Sequence, residues 1–399
     1  MRKYNQVNNI AGWIVFLVSA IVYLMTIEPT ASFWDCGEFI ASAFKLEVGH
    51  PPGSPVFMLI GRFFTIFAPD ASKIAMTVNI MSALASAFTI LFLFWTITHL
   101  AKKMIVNKGE EATLAQIIGI VGSGFVGALA YTFSDSFWFS AVEGEVYALS
   151  SFFTAIVVWA ILKWENEADE PYANRWLIFI AYMMGLSIGV HLLNLLTIPA
   201  IVFIYYFKNY KPTKWGIIWA SVISVAILGG LMYVIIPGTF KIGSLFELLF
   251  VNGFGLPFNS GLIFYGILLF GGLAWGIKYT LEKGKVLANT IILAITVILI
   301  GYSSYALILI RSSASTPLNE NSPSNVFALM SYLNREQYGD RPLVYGQYYN
   351  APVDETKNET TYTPKNGKYV ETYLKTTYHF DDRFKTFFPR MWSPGDGHE

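Results

Sequence analysis

Residues 28–55, EPTASFWDCGEFIASAFKLEVGHPPGSP, interrupt an otherwise apolar N-terminal third with carboxylates, a lone histidine and four prolines. Helical spacing from Phe33 puts Asp35, Glu38, Ser42 and Lys45 on one stripe, and Phe33, Cys36, Ile40, Ala43 and Phe44 on the other side. Directly after an apolar run, such a segment is expected to lie along a membrane surface, its aromatic face in lipid and its carboxylates toward water or protein. Gly49-His50-Pro51-Pro52-Gly53 is expected to end it, because proline lacks an amide donor and restricts the residue before it.

The surrounding sequence sets the class. At 399 residues, 54% apolar, 17% aromatic and 14% charged, the chain departs from an average soluble domain and reads as an all-α polytopic membrane protein. A span needs about 20 largely apolar residues, and nine are expected, roughly at 10–27, 76–99, 114–133, 146–163, 176–190, 192–207, 215–236, 261–277 and 286–310. The first run follows Arg2 and Lys3 as a signal peptide would, but it is longer than the usual apolar region and lacks a small-x-small cleavage site. Residues 56–67, VFMLIGRFFTIF, are too short to span, carry Arg62 and stop before Pro69, so they read as a second interfacial or re-entrant helix.

Lysine and arginine accumulate in short cytoplasmic loops. Nine spans with the N-terminus inside put Arg2, Lys3, Lys102, Lys103, Lys108, Lys163, Arg175, Lys208, Lys211, Lys214, Lys278, Lys283 and Lys285 on the inner side. Only Lys45, Arg62, Lys73 and Lys241 fall in the short outer loops. Residues 28–75, 134–145, 237–260 and everything after Ile310 then share the outer face. The transmembrane domain reads as 1–310, with 28–75 as its active-site loop, and 311–399 as a polar, tyrosine-rich outer α+β tail. In that tail Asn366-Gly367 has hairpin chemistry, and SNVFALMSYLNREQ, from Ser324, reads as an N-capped short helix. The chain stops at Gly397-His398-Glu399 without a terminal signature and is expected to be the N-terminal part of a longer protein.

With 27 basic and 27 acidic residues, no basic surface recommends nucleic acid as a partner. Cys36 is the one cysteine, which excludes an internal disulfide and a cysteine-rich metal site. Neither a glycine-rich nucleotide loop nor an internal repeat is present. Asp35, Glu38, Glu143, Glu145 and His50 could offer ligands, but no HxxE-like spacing joins them; no metal site is expected, and a bound magnesium or manganese stays open.

Each candidate residue has a plainer reading. Asp35 is three residues from Ser32, as in a capping box, which would leave Glu38 unexplained. Alternatively, an aspartate held at a bilayer surface can take a proton from an incoming hydroxyl. His50 is held by its prolines and glycines either for chemistry or merely within a chain reversal. Glu143 and Glu145 begin an apolar span, where acidic groups suit the helix dipole or serve a site. His191 and Asn194 are interhelical glue or site residues. Arg311 ends the last span as a snorkelling residue or as a ligand for a lipid phosphate, with Arg62 and Lys241 as weaker candidates for that task.

The motifs join in one resemblance. W-D-C-G-E-F-I and G-H-P-P-G-S-P within residues 28–55, then A-V-E-G-E-V-Y, G-x-H-L-L-N and I-R-S, are similar to the protein O-mannosyltransferase-like membrane family. The resemblance covers most of residues 5–350 and implies a GT-C helical bundle whose first outer loop, with two interfacial helices, carries the catalytic aspartate. It implies transfer of a sugar, mannose foremost, from a polyprenyl-phosphate carrier to a hydroxyl on protein or glycan, with no cofactor beyond that lipid-linked donor. Asp35 would be general base and Glu38 its acidic companion; His50, Glu143, Glu145, His191, Asn194 and Arg311 would surround the donor or acceptor. Cys36 departs from the serine of eukaryotic relatives. The expected location is a bacterial inner membrane, with site and tail on the periplasmic face. Two rivals stay open. One is a transporter or lipid flippase with outward carboxylates, although such sites usually lie at the midplane within inverted repeats. The other is a non-catalytic scaffold.

Overall fold

The computed structural model describes residues 2–107, 109–339, 342, 344–348 and 350–389; Lys108 and Gly397-His398-Glu399, used in the reading above, lie outside the described residues. Helix α1 (Arg2–Met25) is followed by two short helices, α2 (Cys36–Lys45) and α3 (Pro55–Thr65), then by α4 (Ile74–Ile105), α5 (Leu114–Thr132), α6 (Asp135–Ala141) and α7 (Val146–Glu167). Next come α8 (Arg175–Ile188), α9 (Ile198–Asn209), α10 (Lys214–Gly229), α11 (Ile236–Leu248), α12 (Ser260–Glu282), α13 (Val286–Tyr302) and α14 (Ala306–Ser313). The C-terminal part holds α15 (Val326–Leu333) and strands β1 (Tyr345–Gln347), β2 (Val353–Lys365), β3 (Lys368–Phe380) and β4 (Lys385–Phe387). Two compact units result, one of 1–49, 53–236 and 269–319, the other of 50–52, 237–268 and the chain from 320 onward.

The chain is an integral membrane protein. Eight segments among the described residues are long and apolar enough to cross a bilayer: Lys3–Met25, Ala71–Ile105, Leu114–Thr132, Val146–Glu167, Leu192–Asn209, Lys214–Gly253, Ser260–Glu282 and Val286–Ser313. The expected span at 176–190 falls short, because α8 has 14 residues. At about 1.5 Å per residue that is roughly 21 Å of helix against about 30 Å of hydrocarbon. Yet its turns carry it along the whole of α7. Arg175 and Trp176 each donate to Glu167 at 2.8 Å at the end of α7, and the His191 ring packs at a tilt against Tyr147 at its start, ring centroids 5.6 Å apart. Glycines let α8 lie on α13: a Cβ at Gly185 would stand 2.6 Å from the Ile298 carbonyl, and one at Gly301 would strike the Gly185 backbone. Small residues give such close approach between helices in a membrane.

Helix ends in the first unit sort into two groups. At one end Lys103 pairs with Glu165 at 2.5 Å, Lys208 with Asp169 at 2.8 Å, and the Tyr4 hydroxyl donates to Thr98 O. At the other, Glu28 N bonds Val142 O, Val56 N bonds Gly189 O, Val48 N bonds Leu318 O, and the Tyr305 hydroxyl meets the carbonyls of Gly53 and Ile188. The loops bearing the unusual polar residues therefore gather at one end, and Lys102, Lys103, Lys163, Arg175 and Lys208 at the opposite one.

Two expected loops are partly helical. Residues 134–145 contain α6, and within 237–260 the chain continues as α11. Pro237 falls in the first turn of α11, where a missing N–H is tolerated, and the π-turn Gly230–Ile235 before it absorbs the change of register.

In the second unit β2 and β3 form an antiparallel hairpin closed by Asn366 and Gly367 at φ 50° and 78°, the paired positive angles of a two-residue hairpin turn. Helix α15 is capped one residue after the expected Ser324: Asn325 Oδ1 accepts from Phe327 N at 3.0 Å and Ala328 N at 3.1 Å. Val251, Val326, Phe327 and Tyr369 form its core, beside the buried Glu247, which accepts from Asn259 N, Leu262 N and the Tyr369 hydroxyl.

The α8–α13 contact yields a stability test. Gly185→Val drives a branched side chain into the Ile298 backbone, and overpacking of this kind costs about 1–3 kcal/mol. Thermal unfolding of the detergent-solubilised protein is expected to show a clear drop, whereas Gly271→Ala, at a position with open space around it, leaves the midpoint near wild type.

Candidate active site

The ten residues of α2 form one of the shortest helices in the first unit. They begin at Cys36, not Phe33, because Trp34 takes a left-handed φ of 58° and turns the chain before the helix can start. Such a conformation is strained for a bulky side chain. Phe33 and Trp34 stand 72% and 90% exposed, placed as interfacial aromatics are. Asp35 is thereby left at the N-cap position, exposed, with no capping bond from its side chain. The Ser32–Asp35 capping box, the plainer reading of this aspartate, is not formed.

The apolar face of α2 also differs from expectation. Phe39, Ile40 and Ala43 are buried in protein, packed with Val56 and Phe57 of α3, Val78 and Met81 of α4, and Val146 and Leu149 of α7. Ser42, from the polar stripe, is buried with them. Hydrophobic periodicity finds the buried face but does not distinguish helix neighbours from acyl chains, which are equally apolar.

Two arginines close the far end. Leu46 ends α2 in a left-handed conformation before the prolines are reached. Arg62 Nη1 donates to Phe44 O at 2.6 Å; Arg311 Nε donates to Leu46 O at 2.6 Å and its Nη2 to Lys45 O at 3.1 Å. Both guanidiniums, expected to be available to a lipid phosphate, satisfy the carbonyls that a helix C-terminus leaves unpaired. The ten-residue helix separates them from Asp35 by about 15 Å.

Glu38 lies against Gly49. A Cβ at position 49 would collide with its carboxylate, so the first glycine of G-H-P-P-G is a close-approach residue. His50 and the two prolines pack with the second unit, where the Tyr332 hydroxyl of α15 donates to His50 O at 3.2 Å.

Glu143 lies against the start of α2. It is buried, and the Cys36 thiol donates to its Oε2 at 3.6 Å, with the Ser32 hydroxyl a further partner. Burial raises the Glu143 carboxyl above its ordinary value of 4.5, and burial followed by the charges of Glu143, Glu145 and Asp35 pushes the Cys36 thiol up to about 12. The thiol is therefore a proton donor in this site, not a nucleophile. Glu145 takes the dipole role weighed for it, as N-cap of α7 with its carboxylate on Val146 N at 3.1 Å. Gly144 lets this turn close on Asn79 and Ile40. His191 caps the turn Leu192–Thr197, its Nδ1 accepting from Leu193 N at 3.2 Å, and Asn194 is fully buried with Ser187 and Thr197 as partners.

Sequence reasoning missed Asn79. Buried on α4, it donates to Glu28 O at 2.6 Å and Thr30 O at 3.0 Å and so fixes the approach to Trp34 and Asp35. Its signal was an amide inside an apolar span. No set of three or more histidine, cysteine, aspartate or glutamate residues among the described ones is arranged to hold a metal ion.

With this geometry in place, the comparisons with known proteins bear on the same stretch. Residues 35–214 match the protein O-mannosyl-transferase TMEM260 N-terminal domain, and residues 339–399 match a family of unknown function. The chain is 26% identical over 231 residues to protein O-mannosyl-transferase tmem260 of Dictyostelium discoideum, covering 54% of this chain and 26% of that protein. It is 25% identical over 224 residues to protein O-mannosyl-transferase TMEM260 of Mus musculus, covering 56% and 29%. The resemblance to the O-mannosyltransferase-like family is thus shown, while the chain spans only about a quarter of the length of these relatives. No solved structure matches it.

Burial of Glu143 makes stability depend on pH. The folded state keeps a proton that the unfolded chain releases above about 4.5, so this residue's contribution is present below that value and is lost as pH rises toward the folded-state value. Glu143→Gln removes the loss. Its melting temperature relative to wild type is expected to improve between pH 4 and pH 7, measured by intrinsic fluorescence; parallel profiles for the two proteins would show that Glu143 carries no shifted proton.

Proposed function

We propose that the chain is a membrane glycosyltransferase of GT-C type that moves a sugar, mannose foremost, from a polyprenyl-phosphate carrier to a hydroxyl of a protein acceptor. The observation that carries this reading is the placement of Asp35. It stands exposed and uncapped at the start of a helix pinned by two arginines, at the residue where the similarity to the O-mannosyl-transferase domain begins.

In this reading the acceptor hydroxyl attacks the sugar's anomeric carbon, its proton passes to the Asp35 carboxylate, and the bond from that carbon to the phosphate oxygen breaks. Attack opposite the leaving group inverts the anomeric centre. Polyprenyl phosphate departs as a stable anion, so most of the work lies in bringing hydroxyl, carbon and base into line. Glu38 keeps α2 in contact with Gly49. Glu143 lies buried against Cys36, where burial raises its carboxyl above the ordinary range. Arg62 and Arg311 act by holding α2, since they are too far from Asp35 to meet a phosphate leaving at its side. The lysine-poor end of the bundle is assigned to the outer, periplasmic side of a bacterial inner membrane, following the bias of lysine and arginine toward the cytoplasm.

Membranes bearing wild type or Asp35→Asn, supplied with radiolabelled polyprenyl-phosphate mannose, test the assignment. General-base loss is expected to lower transfer by roughly 100-fold to 10,000-fold. Full transfer by Asp35→Asn together with its loss in Glu143→Gln would reverse the two roles.

A further inference from the structure

The end of the first unit away from α2 holds a cavity of about 780 Å³ between the ends of α1, α4, α7 and α9. Asn8, His99, Lys102, Lys103, Lys163 and Lys208 contribute to its wall. Along α4, His99 lies twenty residues beyond Asn79, which at 1.5 Å per residue is about 30 Å, the thickness of the hydrocarbon layer. The cavity and the candidate active site therefore face opposite leaflets.

Its cations are not equivalent. Lys103 is occupied by Glu165 and Lys208 by Asp169. Among the described residues Lys102 and Lys163 have no carboxylate partner; their ammonium groups rest over the rings of Tyr4 at 4.6 Å and Trp159 at 5.5 Å. An ammonium on a ring face still has hydrogen-bond donors to offer. Two further polar atoms of cavity-lining residues, Asn8 Oδ1 and His99 Nε2, are buried without a hydrogen-bond partner. The Asn166 amide lies 3.3 Å from His99 Nδ1, and its N–H donating there makes Nδ1 the acceptor and leaves the ring proton on Nε2. That nitrogen is 3.8 Å from Glu165, beyond hydrogen-bond reach. The site thus offers two unpaired ammonium groups and one N–H to an anion, and one amide oxygen to a hydroxyl.

We propose that this cavity binds the head group of an anionic phospholipid that carries both a phosphate and a hydroxyl. Lys102, Lys163 and His99 take the phosphate oxygens; Asn8 takes the hydroxyl. The lipid source is favoured over free phosphate because the cavity opens among the ends of membrane-spanning helices, where basic pockets receive lipid head groups. A volume of about 780 Å³ also exceeds what a bare ion fills. Nothing here depends on the activity proposed for the opposite face.

Native mass spectrometry of the full chain in detergent, titrated with dioctanoyl phosphatidylglycerol, dioctanoyl phosphatidylcholine or inorganic phosphate, tests the site. The expected result is retention of phosphatidylglycerol by wild type, little retention of phosphatidylcholine, and at least tenfold weaker retention of phosphatidylglycerol by Lys102→Gln/Lys163→Gln. Lys73→Gln/Lys357→Gln serves as the charge-matched control and is expected to bind as wild type. Equal retention by all three proteins would overturn the proposal, and so would phosphate competing on equal terms with the lipid. A second measurement needs no variant: a phosphatidylglycerol with a photoreactive head group is expected to mark peptides 95–103 or 159–169 of the wild type, and adducts confined to other segments would refute the placement.

Discussion

Three carbonyls hold the candidate site in place. A helix of ten residues is too short to persist on its own, and α2 has in addition a strained residue before its first turn. Its C-terminal carbonyls at Phe44, Lys45 and Leu46 are each taken by an arginine, one from α3 and one from α14. These bonds are charge-assisted, and they oppose the negative end of the helix dipole. Because Arg62 and Arg311 lie 249 positions apart in the chain, by the difference of their numbers, α2 is fixed only once both neighbours are docked. The direction in which Asp35 is presented is therefore a property of the assembled unit, not of residues 28–55 alone.

The same dependence explains why so many small residues surround this loop. Gly49 admits the Glu38 carboxylate, Gly61 admits Ala43 of α2, and Gly144 admits Asn79 and Ile40. Each contact brings a polar or backbone group within reach of another element at a depth where the hydrophobic effect between helices and lipid supplies little discrimination. Packing and hydrogen bonds must then provide the specificity. Asn79 shows the pattern well: one amide group ties the carbonyls of Glu28 and Thr30 to α4.

Much of this was legible in the chain before any coordinates. Residues 28–55 stood out by polarity, the helical class by composition, and the hairpin by Asn366-Gly367, since each rests on local chemistry. Within the first unit, the partition of lysine and arginine also anticipated that the loops 28–75 and 134–145 would share an end. What escaped was tertiary. The start of α2 depends on the turn at Trp34, and the burial of Ile40 and Ala43 depends on neighbours that look like lipid to a periodicity count. Arg311 could be read as a phosphate ligand or a snorkelling residue, but not as a cap on a helix whose end lies 265 positions away by number. Helix α8 reads as a span by composition, yet it has only 14 residues and reaches from end to end of α7 only with its turns.

Asp35 and Glu143 show how two loops can bring two carboxyl groups to one thiol in different surroundings. Both approach Cys36, but Asp35 lies exposed at a helix start, whereas Glu143 is enclosed by Cys36, Ser32 and the start of α7. Burial penalises the charge of Glu143, and neighbouring Glu28 adds to that penalty. Burial thus biases the Glu143 carboxyl toward its neutral form, in surroundings that the exposed Asp35 does not share. The structural price is a polar group enclosed in the loop, and the Cys36 thiol and Ser32 hydroxyl supply the partners that make such enclosure tolerable.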